Sequence, residues 1–234
     1  MFKPVHLYRG KNYIEPGFSA QAILLNSTLP DTQCASDALA ENGYVVLPNF
    51  LTDTDAMALY DYASNLDDAQ WQIAAVGRQQ LQTINTHVRS DKIHWLQPEH
   101  SLESAYLAHM DNLRLRINRE LFMGLFDYES HLAKYRPGAY YKKHLDAFKG
   151  RSNRVLTTVL YLNPEWSDTD GGELVIYGTK GEVLEELLPT LGTMVMFLSD
   201  TFVHEVKVGS RERYSITGWF RHNTSISGII DPPR

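Results

Sequence analysis

The chain has 234 residues, 43% hydrophobic and 11% aromatic, with a formal net charge of −6; this fits one large domain with a real core and gives no basic face for nucleic acid. Its one cysteine, Cys34, excludes an internal disulfide and fits a reducing compartment, so a cytoplasmic location is expected. No run reaches the ~20 apolar residues of a membrane helix, and residues 1–10 lack the continuous apolar stretch of a signal peptide, so no membrane partner is expected.

Residues 1–35 are broken by Pro4, Pro16, Gly17 and Pro30 and read as an extension, lying across the surface or partly disordered. Residues 36–42 read as a short helix with Ser36 as N-cap and Gly43 ending it. Tyr44–Leu47 is a compact apolar strand closed by Pro48 and Asn49. Thr52-Asp53-Thr54-Asp55 then caps a helix to about Leu66, with Met57, Leu59, Tyr60 and Ala63 on its buried side. Residues 67–85 are polar, with Gln70, Gln72, Gln79, Gln80 and Gln82, and read as a mobile loop or hairpin. In residues 86–96, alternation puts Arg89, Asp91, Ile93 and Trp95 on one side and Val88, Ser90, Lys92 and His94 on the other. Taken alone, Arg89 and Asp91 read as a solvated turn. The spacing of Leu102, Ala105, Met110, Leu113, Ile117 and Leu121 predicts a long helix over 101–124. From Tyr128 short strands follow, expected at 130–135, 140–145, 155–163, 173–177, 193–198, 203–208 and 214–221, with Gly and Pro turn signals between them. Helices followed by many short strands give an α+β class, with a β-sandwich or barrel as the catalytic half.

The chemistry concentrates where residues 134–146 end in His144-x-Asp146. Side chains two apart on a strand point the same way, so an imidazole and a carboxylate can close on one ion. That is two-thirds of the 2-His-1-carboxylate face of non-haem iron oxygenases. His109-x-Asp111 has the same spacing but lies in the helix, where residues two apart diverge by roughly 200°; both read as helix-surface residues. In the β half the third ligand is sought at His204 or His222, and His204 opens a strand after a turn. Nine residues on, alternation places Arg213, Ser215, Thr217 and Trp219 on one face. A guanidinium facing a barrel interior is costly without an anion, and a carboxylate fits its fork. Separately, His204 reads as a satisfied strand-end histidine and Arg213 as the end of a surface turn with Arg211 and Glu212. Jointly they specify a metal and an acidic co-substrate.

These residues are accompanied by Arg89-Ser-Asp-Lys-Ile-His-Trp, Tyr135-Arg-Pro-Gly, Tyr161-Leu-Asn-Pro-Glu-Trp, Gly171-Gly-Glu-Leu and Arg213-Tyr-Ser-Ile-Thr-Gly-Trp-Phe. With them the chain resembles the Fe(II)/2-oxoglutarate-dependent dioxygenases of the prolyl 4-hydroxylase type, most closely the hypoxia-inducible-factor prolyl hydroxylase group and its bacterial relatives. The resemblance implies a double-stranded β-helix (jelly roll) at about 128–222, inside a domain of residues 36–222 with supporting N-terminal helices and a tail at 223–234. It implies that His144, Asp146 and His204 hold Fe(II), that Arg213 and Tyr161 bind the distal carboxylate of 2-oxoglutarate, and that Tyr135 contacts its metal end. Thr217, Trp219 and Leu174 would line the same pocket. Arg89, Asp91, Arg154 and Trp95 would lie at the site mouth, an Asp91–Arg154 pair tying a substrate loop at about 71–90. His87, His94 and His131 fall outside the motifs and read as structural. The implied reaction couples O2-dependent decarboxylation of 2-oxoglutarate, to succinate and CO2, with hydroxylation of a prolyl residue in a protein. Elongation factor Tu is the implied candidate target, a monomer the expected state, and ascorbate a family expectation. The rivals are the same chemistry on a free amino acid or ribosomal protein, a cupin-like metal-binding module without turnover, and a zinc hydrolase.

Overall fold

Alternation along the strands builds three layers. In the computed structural model, which describes residues 25, 27, 32–74, 88–147, 152–223, 225–226 and 229–230, strands are numbered in chain order: β1 (Tyr44–Leu47), β2 (Gln72–Ile73), β3 (Lys92–Trp95), β4 (Asp127–Tyr135), β5 (Tyr141–His144), β6 (Arg154–Tyr161), β7 (Leu174–Tyr177), β8 (Val183–Leu187), β9 (Met194–Leu198), β10 (Val203–Val206), β11 (Arg213–Arg221), β12 (Ser225–Ile226) and β13 (Ile229–Ile230). The helices are α1 (Thr32–Asn42), α2 (Asp53–Asn65) and α3 (Ser101–Leu121). The major sheet runs β1-β9-β6-β11-β4-β3-β2, the minor sheet β5-β10-β7-β8, and every ladder in them is antiparallel. Leu132, Leu156, Leu160, Met194, Met196, Ile216 and Phe220 face the helices from the major sheet. The alternate residues Ala133, Tyr135, Val159, Tyr161, Val195 and Phe197 face the minor sheet, against Leu174, Ile176 and Val206. The site lies in this second layer, between the sheets.

The helices follow local signals. The Thr52 hydroxyl accepts from the Asp55 amide as N-cap of α2. Asp55 is itself buried and takes both the amide and the hydroxyl of Ser27, so this short stretch before α1 is tied to the start of α2. Most of residues 1–31, and with them the expected extension, fall outside the described residues. Ser36 is no N-cap: α1 begins at Thr32, and the buried Ser36 hydroxyl donates to Glu120 of α3. α3 buries Leu102, Tyr106, Met110, Leu113 and Ile117 along one stripe. It stops at Leu121, short of 124, because Phe122 is left-handed at φ 54° and the Asn118 amide group bridges both backbone polar atoms of Leu125. β8 has no counterpart among the expected strands. It is an exposed edge carrying Glu185 and Glu186, and charge there guards the edge while hiding the apolar alternation. No described helix is long and apolar enough to cross a membrane.

His109 is not on the helix surface. It is buried, edge-on to Phe50, and its Nε2 has no partner, whereas Asp111 is exposed and pairs with Arg114. Burial lowers the His109 imidazole pKa despite the opposing pull of Asp55. Replacing it with methionine, which fills irregular apolar gaps, is expected to add about 1 kcal/mol by removing an unsatisfied nitrogen. That is roughly 2–4 °C in melting temperature for a chain of this size. His131 is depressed further, by burial and then by Arg89 and Arg154. A group protonated more readily unfolded than folded makes stability rise with pH. The apo-protein should therefore lose stability as pH falls below about 6.5, and His109→Met should flatten part of that limb; denaturant midpoints at pH 5.5 and 7.5, for both proteins, check it.

Candidate metal centre

β5 and β10 are neighbours, and His144 stands directly opposite His204 across their ladder. Their ring centroids are 4.2 Å apart. Asp146, two residues past His144, turns into the same space: His144 Nε2 is 3.6 Å from Oδ1 and His204 Nε2 is 3.7 Å from Oδ2. One ligand atom from each lies within 4.8 Å of the others, as three ligands around one ion require. Both imidazoles are fixed by their own strands. His144 Nδ1 donates to the Lys142 carbonyl at 2.8 Å and His204 Nδ1 to the Phe202 carbonyl at 3.2 Å, leaving each Nε2 as the ligating atom. Burial pushes the His204 imidazole down to about 4, so it is the neutral form that ligates. Burial opposes the charge of Asp146, but His204, His144 and Arg154 outweigh it and hold the carboxyl far below the usual range. Its Oδ2 accepts from Thr157 Oγ1 at 2.8 Å and from Trp219 Nε1 at 3.0 Å.

A second cluster lies further along β11. Arg213 is 2% exposed, opposite Tyr135, with its Cζ 5.0 and 5.2 Å from the Tyr135 and Tyr161 ring centroids. Its Nε donates to the Gly172 carbonyl at 3.0 Å and Nη1 reaches Ser215 Oγ at 3.4 Å, but Nη2 has no partner, and neither has the buried Tyr161 hydroxyl. Buried polar atoms are nearly always paired. An orphaned guanidinium nitrogen beside an orphaned hydroxyl fits a carboxylate, and no carboxylate of the chain is bonded to this guanidinium among the described residues. Gly172, at φ +73°, makes room: a Cβ there would lie 3.3 Å from Arg213 Cδ. The cavity joining the clusters, about 70 Å³, is walled by Tyr135, Val159, Leu174, Val206 and Thr217. The donor set and the orphaned pair together fit a divalent ion and a dicarboxylate.

Of the residues singled out in the sequence, His144, Asp146, His204, Arg213, Tyr135, Thr217, Trp219, Leu174, Arg89 and Arg154 reach this cavity. Tyr161 adjoins it through Arg213. Trp219 touches the ligand Asp146. Asp91 and Trp95 do not line the cavity. The expected Asp91–Arg154 pair is absent among the described residues. Arg89 Nε donates to Asp91 Oδ1 at 2.7 Å within the segment leading into β3, while Arg154 Nε donates to Glu129 at 3.0 Å and its Cζ lies 3.3 Å over the Trp219 ring. Asp91 is thus buried and ion-paired rather than in a solvated turn. Of the expected loop, residues 75–87, including His87, lie outside the described residues; residues 88–90 zip onto β5 through Lys142 N to Val88 O and Ser90 N to Tyr140 O. His94 bridges the Gln70 carbonyl and Glu103. Sequence reasoning missed Thr157, which the alternation Thr157-Val159-Tyr161 on β6 could have disclosed. It also missed Tyr141, stacked on His144 at 3.5 Å and 12° with Arg89 Cζ 4.5 Å from its own ring; three residues apart, Tyr141 and His144 carry no shared-face signal.

The family model for the 2OG-Fe(II) oxygenase superfamily matches residues 130–221. The prolyl 3-hydroxylase OGFOD1 of Xenopus laevis is 35% identical over 103 residues, 38% of this chain and 19% of that protein. A PKHD-type hydroxylase of Parvibaculum lavamentivorans is 36% identical over 91 residues, 38% of this chain and 40% of that protein. The chain thus spans less than half the length of these curated relatives. Among solved structures, a Pseudomonas putida prolyl-4-hydroxylase superposes with TM-score 0.74 at 38% identity, covering 82% of this chain and 98% of that one. A Trichoplax adhaerens prolyl hydroxylase, solved with a hypoxia-inducible-factor peptide fragment, gives 0.69 at 27%, covering 81% and 88%. The two facing sheets are the jelly roll of these enzymes. Likeness at that identity over nearly the whole of the Pseudomonas enzyme reflects descent as well as architecture, and the chain belongs to the 2OG-Fe(II) oxygenase superfamily, with prolyl hydroxylases among its relatives.

Proposed function

We propose that the protein hydroxylates a prolyl residue of a target protein at C4, with Fe(II) held by His144, Asp146 and His204. The observation that carries this is the orphaned pair, Arg213 Nη2 and Tyr161 Oη, at the far end of a cavity that begins at the metal ligands. Arg213 would hold one end of a five-carbon dicarboxylate, leaving its other end for the metal held by His144, Asp146 and His204. When bound, iron with 2-oxoglutarate and O2 supplies the oxidising equivalent that puts oxygen on a C–H bond and releases succinate and CO2. The chain's own part is to bind, orient and exclude water. Burial raises the Tyr161 phenol well above its usual pKa although Arg213 opposes it, so the hydroxyl stays protonated and donates. Tyr135 is raised likewise, by burial first and then by Asp91, and the resemblance gives its hydroxyl to the metal end of the co-substrate. Leu174, Val159 and Val206 keep the chamber apolar. The prolyl target rests on the relatives, which include 3- and 4-hydroxylases and one solved with a peptide. Elongation factor Tu is the candidate target, from the resemblance to bacterial relatives, and ascorbate stimulation is an expectation from the family as a whole.

The test is an anaerobic titration of apo-protein with Fe(II) and 2-oxoglutarate, followed by air and proline-containing polypeptides. Expected are a visible metal-to-ligand charge-transfer band, then succinate in step with a one-oxygen mass gain on proline. Zinc retained with no 2-oxoglutarate-dependent turnover would return the assignment to a hydrolase or binding module.

A further inference from the structure

His131 stands on β4 opposite Thr217 of β11, and its side chain borders the metal cavity. It is 3% exposed, and neither Nδ1 nor Nε2 has a hydrogen-bond partner. Two rings pack against it, Trp95 edge-on at 5.1 Å and Trp219 at 5.4 Å. Trp219 is also the donor to Asp146, so the imidazole lies one side chain from a metal ligand. On its other flank, Trp95 walls an outer cavity of about 580 Å³ with Gln97, Phe126 and Glu129.

The chemistry of its ligand follows from hydrogen-bond inventory. Burial, with Arg89 and Arg154 nearby, keeps the ring neutral, and a neutral imidazole has one donor and one acceptor nitrogen. A carboxylate only accepts and would leave the second nitrogen orphaned; both carboxylates of the co-substrate, moreover, would be taken by Arg213 with Tyr161 and by the metal. A peptide backbone offers a carbonyl and an N–H within reach of one ring. We propose that His131 recognises the backbone of the polypeptide substrate beside the hydroxylated residue, one ring nitrogen donating to a carbonyl and the other accepting from an N–H. This rests on the reading that the substrate is a polypeptide.

The test compares wild-type holoenzyme with His131→Leu and His131→Gln on N-acetylated, C-amidated proline-centred peptides and on free L-proline. His131→Leu should raise KM for the best peptide by about tenfold, the loss of 1.4 kcal/mol of binding, with a smaller change in kcat. The dissociation constant of 2-oxoglutarate, read from the anaerobic charge-transfer band, should not move. His131→Gln, which keeps a donor and an acceptor, should restore most of the peptide KM; a merely structural role would not be rescued in this selective way. An unchanged peptide KM in His131→Leu, or a 2-oxoglutarate constant rising in step with it, overturns the proposal. If the wild type hydroxylates peptides at a residue other than proline, the prolyl assignment falls and the His131 comparison runs on that peptide. Turnover of free proline alone overturns the His131 proposal and leaves the dioxygenase standing.

Discussion

Arg213→Gln should raise the 2-oxoglutarate dissociation constant by about a hundredfold while leaving metal binding unchanged. Removing one partner of a buried charge-assisted pair costs ~2–5 kcal/mol, and 2.7 kcal/mol is a hundredfold. The metal should not notice, because Arg213 contacts Gly172, Ser215 and the Tyr135 and Tyr161 rings, and no metal ligand. Arg213→Lys should fall between, since an ammonium keeps the charge without the planar fork. Without 2-oxoglutarate the sign reverses. The wild-type guanidinium is buried with Nη2 unmatched, an arrangement that costs stability until an anion arrives. Apo Arg213→Gln should therefore melt no lower than apo wild type, yet lose most of the upward shift that 2-oxoglutarate gives the wild type in the presence of Fe(II). Paired anaerobic titrations and thermal melts check both halves. A variant within about threefold of wild type in 2-oxoglutarate affinity, a difference under 1 kcal/mol, would take the anchor away from Arg213.

What the sequence discloses of this fold is what has a period. β11 shows it best: Arg213, Ser215, Thr217 and Trp219 alternate with Tyr214, Ile216 and Phe220, and the two sets separate onto the cavity and the helix-packed core. Tyr44–Leu47 and the Thr52 cap fall where a turn signal and a short polar side chain put them. The metal residues are legible because His144 and Asp146 are local, and His204 follows from strand order in a two-sheet roll. Long-range partner choice is not legible. Arg89 has Asp91 two residues away, and Arg154 has Glu129 on a strand reached only through β11; nothing in spacing ranks these above Asp91 with Arg154. The polarity of a buried site is likewise hidden. His109 and His131 sit in apolar rhythm or outside every motif, and only the packed structure leaves their nitrogens unmatched.

The second large effect belongs to Asp146, and its neighbours show how a ligand is made ready. Asp146→Ala removes one ligand of three. Structural zinc sites gain ~10–16 kcal/mol from four ligands, so one is worth roughly 2.5–4 kcal/mol, on the order of a hundredfold to a thousandfold in metal affinity. The charge-transfer band should vanish at Fe(II) concentrations that saturate the wild type. Trp219→Phe and Thr157→Val leave all three ligands in place and each removes one hydrogen bond to Asp146 Oδ2. Loss of such an outer partner weakens metal binding by about 10–100-fold. Phenylalanine keeps the aromatic face under Arg154 and beside His131, so loss of affinity in Trp219→Phe would report the N–H rather than the packing. Because both donors hold the same oxygen, the double variant should lose less than the product of the two single effects, the mark of groups acting on one atom. Fe(II) titrations of the four variants, read under anaerobic 2-oxoglutarate, distinguish the cases. Full multiplicative loss would mean that Thr157 and Trp219 support the centre independently; no loss in either single variant would mean that His144 and His204, opposite one another on β5 and β10, already hold Asp146 to the ion without them.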